Sequence, residues 1–587
     1  MPSRTTITRD VMNLYLREKK SLRDMLVKRK QRVCLTTNTW KSCQNLHYMC
    51  LTAHLIDDSW VLQKKILNYC VVPDTKGDTL GRAIEQCLLE WGLERVLTIT
   101  VDNASSNNVS VQYVKKTVNQ WGGAILGGQH MHLRCAAHIL NLIVQEGLDD
   151  YGASIAKIRD VVRYVRGSST RLQKLKECAD QAKITSKKTV CLDVATCWNS
   201  TYFMLEAAEK YQKAFERMEM NDVGYVKEFC TGEVKKCPNE SDWEFGRLFV
   251  KFLKIFHDCT LRFSGSKFVT SNQFLDRVSF VHSRLEFWNG NKLDNTLKEM
   301  AKSMKKKYDK YWGKTEALNP FLLVAILLDP RYKEPFLNVC FKLMCGDKDD
   351  AINHCKSFRM TLDSMYKEYC LMDSNDDMHM TSTNVEDDGK DVDDDVDEYA
   401  LFDQLRKKKV EGRSGNAAVK RARVRVVPGW VTSWEVLTRS PKNKAVSRWG
   451  KADNIVVEEG GMLHDSSENK TKVDKYFIEA CENTEQHDFD VLGWWKKNAS
   501  RFKVLSLIAQ NVFAIPILTV ASESAFSTGG HVIDPYRSCL TPKAVQALIC
   551  TQNWIQNTTS FDFDAMNEEI EALEAEILVG VGDIRLD

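Results

Sequence analysis

Between Arg32 and Ser105 the hydrophobic period changes twice, in a way few folds accept. The runs "RVCLTTNTW", "LHYMCLTAHLID" and "WVLQKKILNYC" are rich in β-branched and aromatic residues and are joined by short polar links. Links of that kind favour antiparallel neighbours. The period then becomes helical. Leu80, Ile84, Cys87, Leu88 and Trp91 recur along one face, with Asp78 or Thr79 as the expected cap and Gly92 as the stop. A further strand follows, "RVLTITVDNAS", in which Asp102-Asn103 suits an Asx turn at the strand end.

Three strands, a helix and another strand open an RNase H-like α/β fold. Strands one and four lie side by side in that fold, so their ends can present two carboxylates to one place. In this chain the expected neighbours there are Asn38 and Asp102.

The remaining text divides by composition. Residues 1–30 include a charged helical segment, and 31–134 form the first part of the core. The span 135–372 is mainly helical. In it "HILNLIVQEGL" places Ile139, Leu142 and Ile143 on one face, and "RLFVKFLKIFHDCTLRF" and "LKEMAKSMKKKYDKYW" read as long amphipathic helices. Residues 373–468 read as a linker, acidic and then basic, that buries too little apolar surface to order itself. Its basic residues Arg406, Lys407, Lys408, Lys409, Lys420, Arg421, Arg423 and Arg425 suit a nuclear localisation signal or a DNA-contacting arm. Order returns over 469–560, and 561–587 is a tail. A net charge of +3 confines any nucleic-acid affinity to local patches of this sort.

The 19 cysteines are scattered singly, with no CxxC pair, as in a reduced intracellular protein. Cys135 and His138 form a CxxH without a second pair nearby, which is too little for zinc. No apolar run is long enough to span a bilayer, and the first residues lack a signal-peptide core. The expectation is a soluble protein with no membrane partner.

The densest signal lies at Leu518–Trp554, "LTVASESAFSTGGHVIDPYRSCLTPKAVQALICTQNW". It resembles the C-terminal dimerisation region of hAT-superfamily transposases, especially the plant RICESLEEPER/DAYSLEEPER-like group. "LTTNTWKS", "QNLHYMCLTAHLID", "TITVDNASSNN", "RCAAHILNLIV", "LDVATCWNS", "LDPRYK" and "FDVLGWWKKN" agree in the same order. The resemblance covers about 1–375 and 470–560. It implies an RNase H-like core interrupted by a large all-α insertion and closed by the C-terminal dimerisation block.

The family's enzymes hold two divalent metals, Mg²⁺ or Mn²⁺, between three acids. By motif position these are Asn38, Asp102 and Glu523, where the family's usual first segment reads "TTDTW". Asp102 and Glu523 are then the remnant catalytic and metal positions. The resemblance gives His138 a role in handling DNA ends and Trp198 one in stacking on a flipped nucleotide. The arginine expected before that tryptophan is Cys197. Val545, Leu548 and Ile549 form an apolar helical face for subunit contacts, with intramolecular packing as the alternative. The family's N-terminal BED zinc finger is not found in this chain. The implied protein is a domesticated or degenerate, non-catalytic nuclear one. It would dimerise with itself or a related hAT protein and bind DNA weakly or non-specifically, with a divalent cofactor only if catalytic. An active transposase and a decayed transposon copy are the alternatives.

Overall fold

The computed structural model describes residues 4–28, 31–149, 152–186, 189–194, 198–231, 235–263, 268–290, 295–345, 348–379, 471–483, 489–533 and 540–556. Two units are distinguished, 1–369 with 432–587, and 370–431. The contacts that follow lie within the first.

A helix, α1 (Arg4–Lys28), precedes β1 (Val33–Lys41), β2 (His47–Ile56) and β3 (Leu62–Val72). Then come α2 (Gly77–Trp91), β4 (Val96–Val101), α3 (Ser105–Gln120) and a three-residue β5 (His132–Arg134). The sheet order is β3-β2-β1-β4-β5, with β1–β2 and β2–β3 antiparallel and β4 parallel to both β1 and β5. This is the RNase H-like arrangement expected from the strand pattern. The start of α2 differs from expectation. It begins at Gly77, with Lys76 as N-cap and no side-chain cap bond. Its end agrees: Gly92 adopts φ 65° and its N–H reaches the carbonyls of Leu88 and Leu89, a conformation that costs a residue with a Cβ.

Side-chain alternation gives the sheet two unlike faces. Leu35, Leu51, Ala53, Ile99 and Val101 point one way and join the core with Ile84, Leu88, Val114 and Val118 of α2 and α3. The other face carries Cys34, Thr36, Asn38, Cys50, Thr52, His54, Thr98 and Thr100. All of these are buried except the half-buried Asn38. Such a face needs polar partners, and the C-terminal segment supplies them. Thr100 Oγ1 donates to the Pro516 carbonyl at 2.7 Å, and Cys34 Sγ to that of Asn511 at 3.6 Å.

From α4 (Ala136–Asp149) to His379 the described elements are helices, including Glu240–Phe263 and Asn295–Tyr311. The helix Lys348–His379 continues into the acidic stretch expected to be disordered from 373. Its Asp and Asn residues disfavour helix only weakly, and a helix already nucleated upstream propagates through them. Residues 380–470, with the basic cluster from Arg406 to Arg425, lie outside the described residues.

The C-terminal block closes the structure at two places. The helix Pro542–Gln556 covers the outer strand β3, which would otherwise offer unpaired backbone groups. Asn553 Oδ1 accepts from the Ile66 N–H at 2.9 Å, Trp554 Nε1 donates to the Ile66 carbonyl at 2.8 Å, and Gln546 Nε2 donates to Asn68 Oδ1 at 2.8 Å. These bonds fall beside a shift in the β2–β3 register. The second closure uses "LDPRYK". Asp329, fully buried, accepts from Asn272 Nδ2 (2.7 Å) and from Arg331 Nε (3.0 Å) and Nη2 (2.7 Å). Lys333 Nζ donates to the carbonyls of Tyr476 and Glu479, both at 2.8 Å, and Trp495 Nε1 donates to that of Leu328 at 2.8 Å. The motif thus clasps the helical region to the helices Lys472–Ile478 and Val491–Asn498.

Candidate strand-end site

Asn38 and Asp102 are brought together by the β1–β4 register. Thr36–Thr100 is the last pair of that register; Asn38 lies two residues further along β1, and Asp102 follows directly after the end of β4. Glu523 arrives from the far end of the chain on the helix Val520–Val532. That helix packs against β1 and β2, the strands that carry Asn38 and its partner Cys50. Thr519 Oγ1 donates to Glu523 Oε1 at 3.0 Å and lies 3.3 Å from Cys135 Sγ, while the Cys135 N–H donates to the Val101 carbonyl at 2.8 Å. Glu523 is therefore tied to the end of β4 through Thr519 and Cys135, and its helix packs on β1 and β2. Phe526 fixes the helix further, stacking on Trp40 at 6.1 Å and touching Tyr69 at 6.0 Å. Gly529 lies against the Tyr69 hydroxyl, where a Cβ would collide.

All three site residues are half-buried. Asn38 Oδ1 accepts from the Thr39 N–H at 2.8 Å. Asp102 Oδ1 accepts from the Ala104 N–H at 2.8 Å and from Asn107 Nδ2 at 2.5 Å. The Asx turn expected from sequence is thus present and anchors the start of α3. The surroundings are neutral. Burial, followed by the charge of Glu523, pushes the Cys135 thiol up to about 11. Burial pushes Cys50 to about 12, and lowers His54 to about 3 with help from Lys64.

The donor set does not fit a pair of divalent cations. Two metals need carboxylate oxygens to bridge and neutralise them. Here one position is a neutral amide whose oxygen already serves its neighbour's backbone, and Asp102 spends one oxygen on the turn. Among the described residues, no group of three acidic, cysteine or histidine ligands converges at this strand end.

The CxxH spacing has a structural explanation. Cys135 precedes α4, and the His138 N–H points at its sulfur, as in a helix N-cap. His138 itself is half-buried on the first turn. Trp198 opens the helix Trp198–Lys210 and is only 3% exposed, so in this conformation its ring offers no open face to a base. Cys197 lies outside the described residues.

Val545 and Ile549 are buried in the chain's own core beneath β3, and Leu548 is half-buried. The apolar face expected to make subunit contacts is thus taken up, at Val545 and Ile549, by intramolecular packing. A residue set not anticipated from sequence lies next to β5. His130, His132, Arg134, Tyr311 and Asn319 line a cleft of about 240 Å³, with Arg134 over the Tyr311 ring at 5.8 Å. Burial, then Arg134, lowers His132 to about 4. The text "HMHLRC" was the available signal, but the aromatic wall comes from a helix far along the chain.

A sheet of this order, with an acid at the end of β4 and another on a distant helix, defines an RNase H-like protein assembled from separated stretches of chain. Family models match it in series. The ZBED1 RNase-like domain matches residues 36–130 and the ZBED1 RNase-like helical domain 133–249. The hAT-like transposase RNase-H fold matches 272–369, a helical span here, and the hAT family C-terminal dimerisation region 472–555.

A putative AC transposase of Zea mays is 30% identical over 98% of this chain and 63% of its own length. RICESLEEPER 2 of Oryza sativa subsp. japonica is 28% identical over 94% of the chain and 69% of its own length, and DAYSLEEPER of Arabidopsis thaliana 25% over 97% and 70%. The chain therefore spans a little under two thirds of the maize relative. It belongs to the hAT transposase family.

Proposed function

We propose that this is a transposase-derived nuclear protein that does not cleave DNA and acts in regulation through self-association and weak DNA contact. The observation that carries the proposal is the amide of Asn38, two residues beyond the last β1–β4 pair, at the strand ends that also carry Asp102, where a two-metal site needs its first carboxylate. Removing one negative charge of three weakens cation binding at the remaining pair. In this reading the helices from Ala136 onward are an insertion in the RNase H-like core. The basic run from Arg406 to Arg425 would serve nuclear entry, and Arg134, exposed at the end of β5, would contribute to DNA contact. With Val545 and Ile549 committed to the core, self-association falls to the outer surface of the C-terminal block, where Ile478 and Ile555 are exposed.

The test is a nicking, hairpin and strand-transfer assay of the full chain on duplex DNA with Mg²⁺ or Mn²⁺. The expected result is no cleavage by the wild type and a gain of cleavage in Asn38→Asp. Robust wild-type cleavage, abolished by Asp102→Ala, would overturn the proposal in favour of an active transposase with a substituted ligand. The retained Asp102 and Glu523 are what favour that second reading. No gain in Asn38→Asp would leave the protein non-catalytic and add a further lesion.

A further inference from the structure

In the helical region, two thiols and a carboxylate converge. We propose that Glu219, Cys230 and Cys237 form a binding site for a thiophilic divalent cation, with Zn²⁺ the ion that suits them. Among the described residues, this is the group of three metal-ligating side chains whose ligand atoms all lie within 4.8 Å of one another. Cys230 Sγ is 3.2 Å from Cys237 Sγ and 3.6 Å from Glu219 Oε1. Ligands about 2.3 Å (sulfur) and 2.0–2.2 Å (oxygen) from a tetrahedral Zn²⁺ stand roughly 3.5–3.8 Å apart. The Cys230–Glu219 pair already stands at ligand spacing, and the two sulfurs need to part by roughly half an ångström to share one ion.

Each ligand is held on a separate support. Glu219 is on the helix Gln212–Asn221, and Cys230 ends the single π-helical turn Val226–Cys230. Cys237 is placed by its own N–H, which donates to the Phe229 carbonyl at 3.3 Å. Lys235 reinforces that return, pairing with Glu228 at 2.7 Å and lying 5.7 Å from the Phe229 ring centroid. Isolated π-helical turns are rare and concentrate where a side chain must be aimed.

Glu219 and Cys230 are exposed and Cys237 half-buried, so an ion can enter and a fourth position stays open to water. The carboxylate is what distinguishes a cation site from a redox pair. A disulfide has no use for it. A cation needs that charge. Bound there, it would tie the helix Gln212–Asn221 to the segment leading into Glu240–Phe263.

The full chain, reduced and stripped of metal with a chelator, is titrated with Co²⁺ and followed by thiolate-to-cobalt charge transfer in the near ultraviolet. The expected result is a band that saturates at one equivalent and is displaced by Zn²⁺. It should be lost in Cys230→Ser and in Cys237→Ser, and require at least tenfold more Co²⁺ in Glu219→Gln. Zn²⁺ should also raise the wild-type Tm and leave that of the double cysteine variant unmoved. An unchanged band in these variants, which would assign it to others of the 19 cysteines, overturns the proposal. So does a reduced wild type that takes up no ion but forms a Cys230–Cys237 disulfide on oxidation.

Discussion

His54 makes the polar face of the sheet an acid-sensitive element. Its ring is buried on β2, hydrogen-bonded between Nε2 and Thr36 Oγ1 at 3.1 Å, and Lys64 stands opposite it in the β2–β3 register. Burial first, and Lys64 second, lower its pKa from 6.5 to about 3. A histidine whose native pKa is depressed binds fewer protons folded than unfolded, so stability falls as pH drops through the unfolded value. Between pH 7.5 and pH 4.5 the unfolded ring takes up its proton and the native ring does not. Two pH units below 6.5, at about 1.36 kcal/mol per unit, make the loss about 2.7 kcal/mol. His54→Gln keeps a polar partner for Thr36 and cannot titrate. Urea unfolding of wild type and variant at both pH values isolates the histidine, because every other titrating group is common to both. Wild type should lose about 2.7 kcal/mol more than the variant. Parallel losses, within about 0.5 kcal/mol, would mean that the ring is protonated in the native state or not buried, and would refute the reasoning.

Two further substitutions test the closures made by the C-terminal block. Lys333→Met leaves the buried carbonyl of Tyr476 and the half-buried one of Glu479 without their donor and should cost about 3 kcal/mol, read as a lower urea midpoint. It should also speed proteolysis between the helical region and the C-terminal helices. Trp554→Phe removes the donor to the Ile66 carbonyl at the outer strand and should cost about 1–2 kcal/mol. Light scattering at elevated temperature should rise as well, from the uncovered edge of β3.

The early strands and α2 were legible because their periods, 2 and then 3.6, are local properties of the text. The neighbourhood of Asn38 and Asp102 followed from the strand order alone. β5 was not legible, since three residues carry no period. Val545 and Ile549 show why an amphipathic pattern is incomplete evidence: it states that a face will be covered, not by what. The roles of Asp329, Lys333 and Trp554 were hidden for a related reason. Each acts on a backbone group more than 50 residues away or on a side chain of another helix. Glu219 and Cys230 belong to no spacing rule, because one sits on a helix and the other on a separate π-helical turn that only tertiary structure brings side by side.

The sheet of residues 33–134 is finished only by helices at 503–556. During translation its polar face and the rim of β3 therefore wait for some four hundred further residues. At roughly 5–20 residues per second that delay is on the order of tens of seconds. The nascent chain must spend it with an unfinished sheet exposed, shielded by the emerging helices or by chaperones. Ribosomes that stop before residue 503 would release a sheet with no cover, and degradation should clear those fragments first.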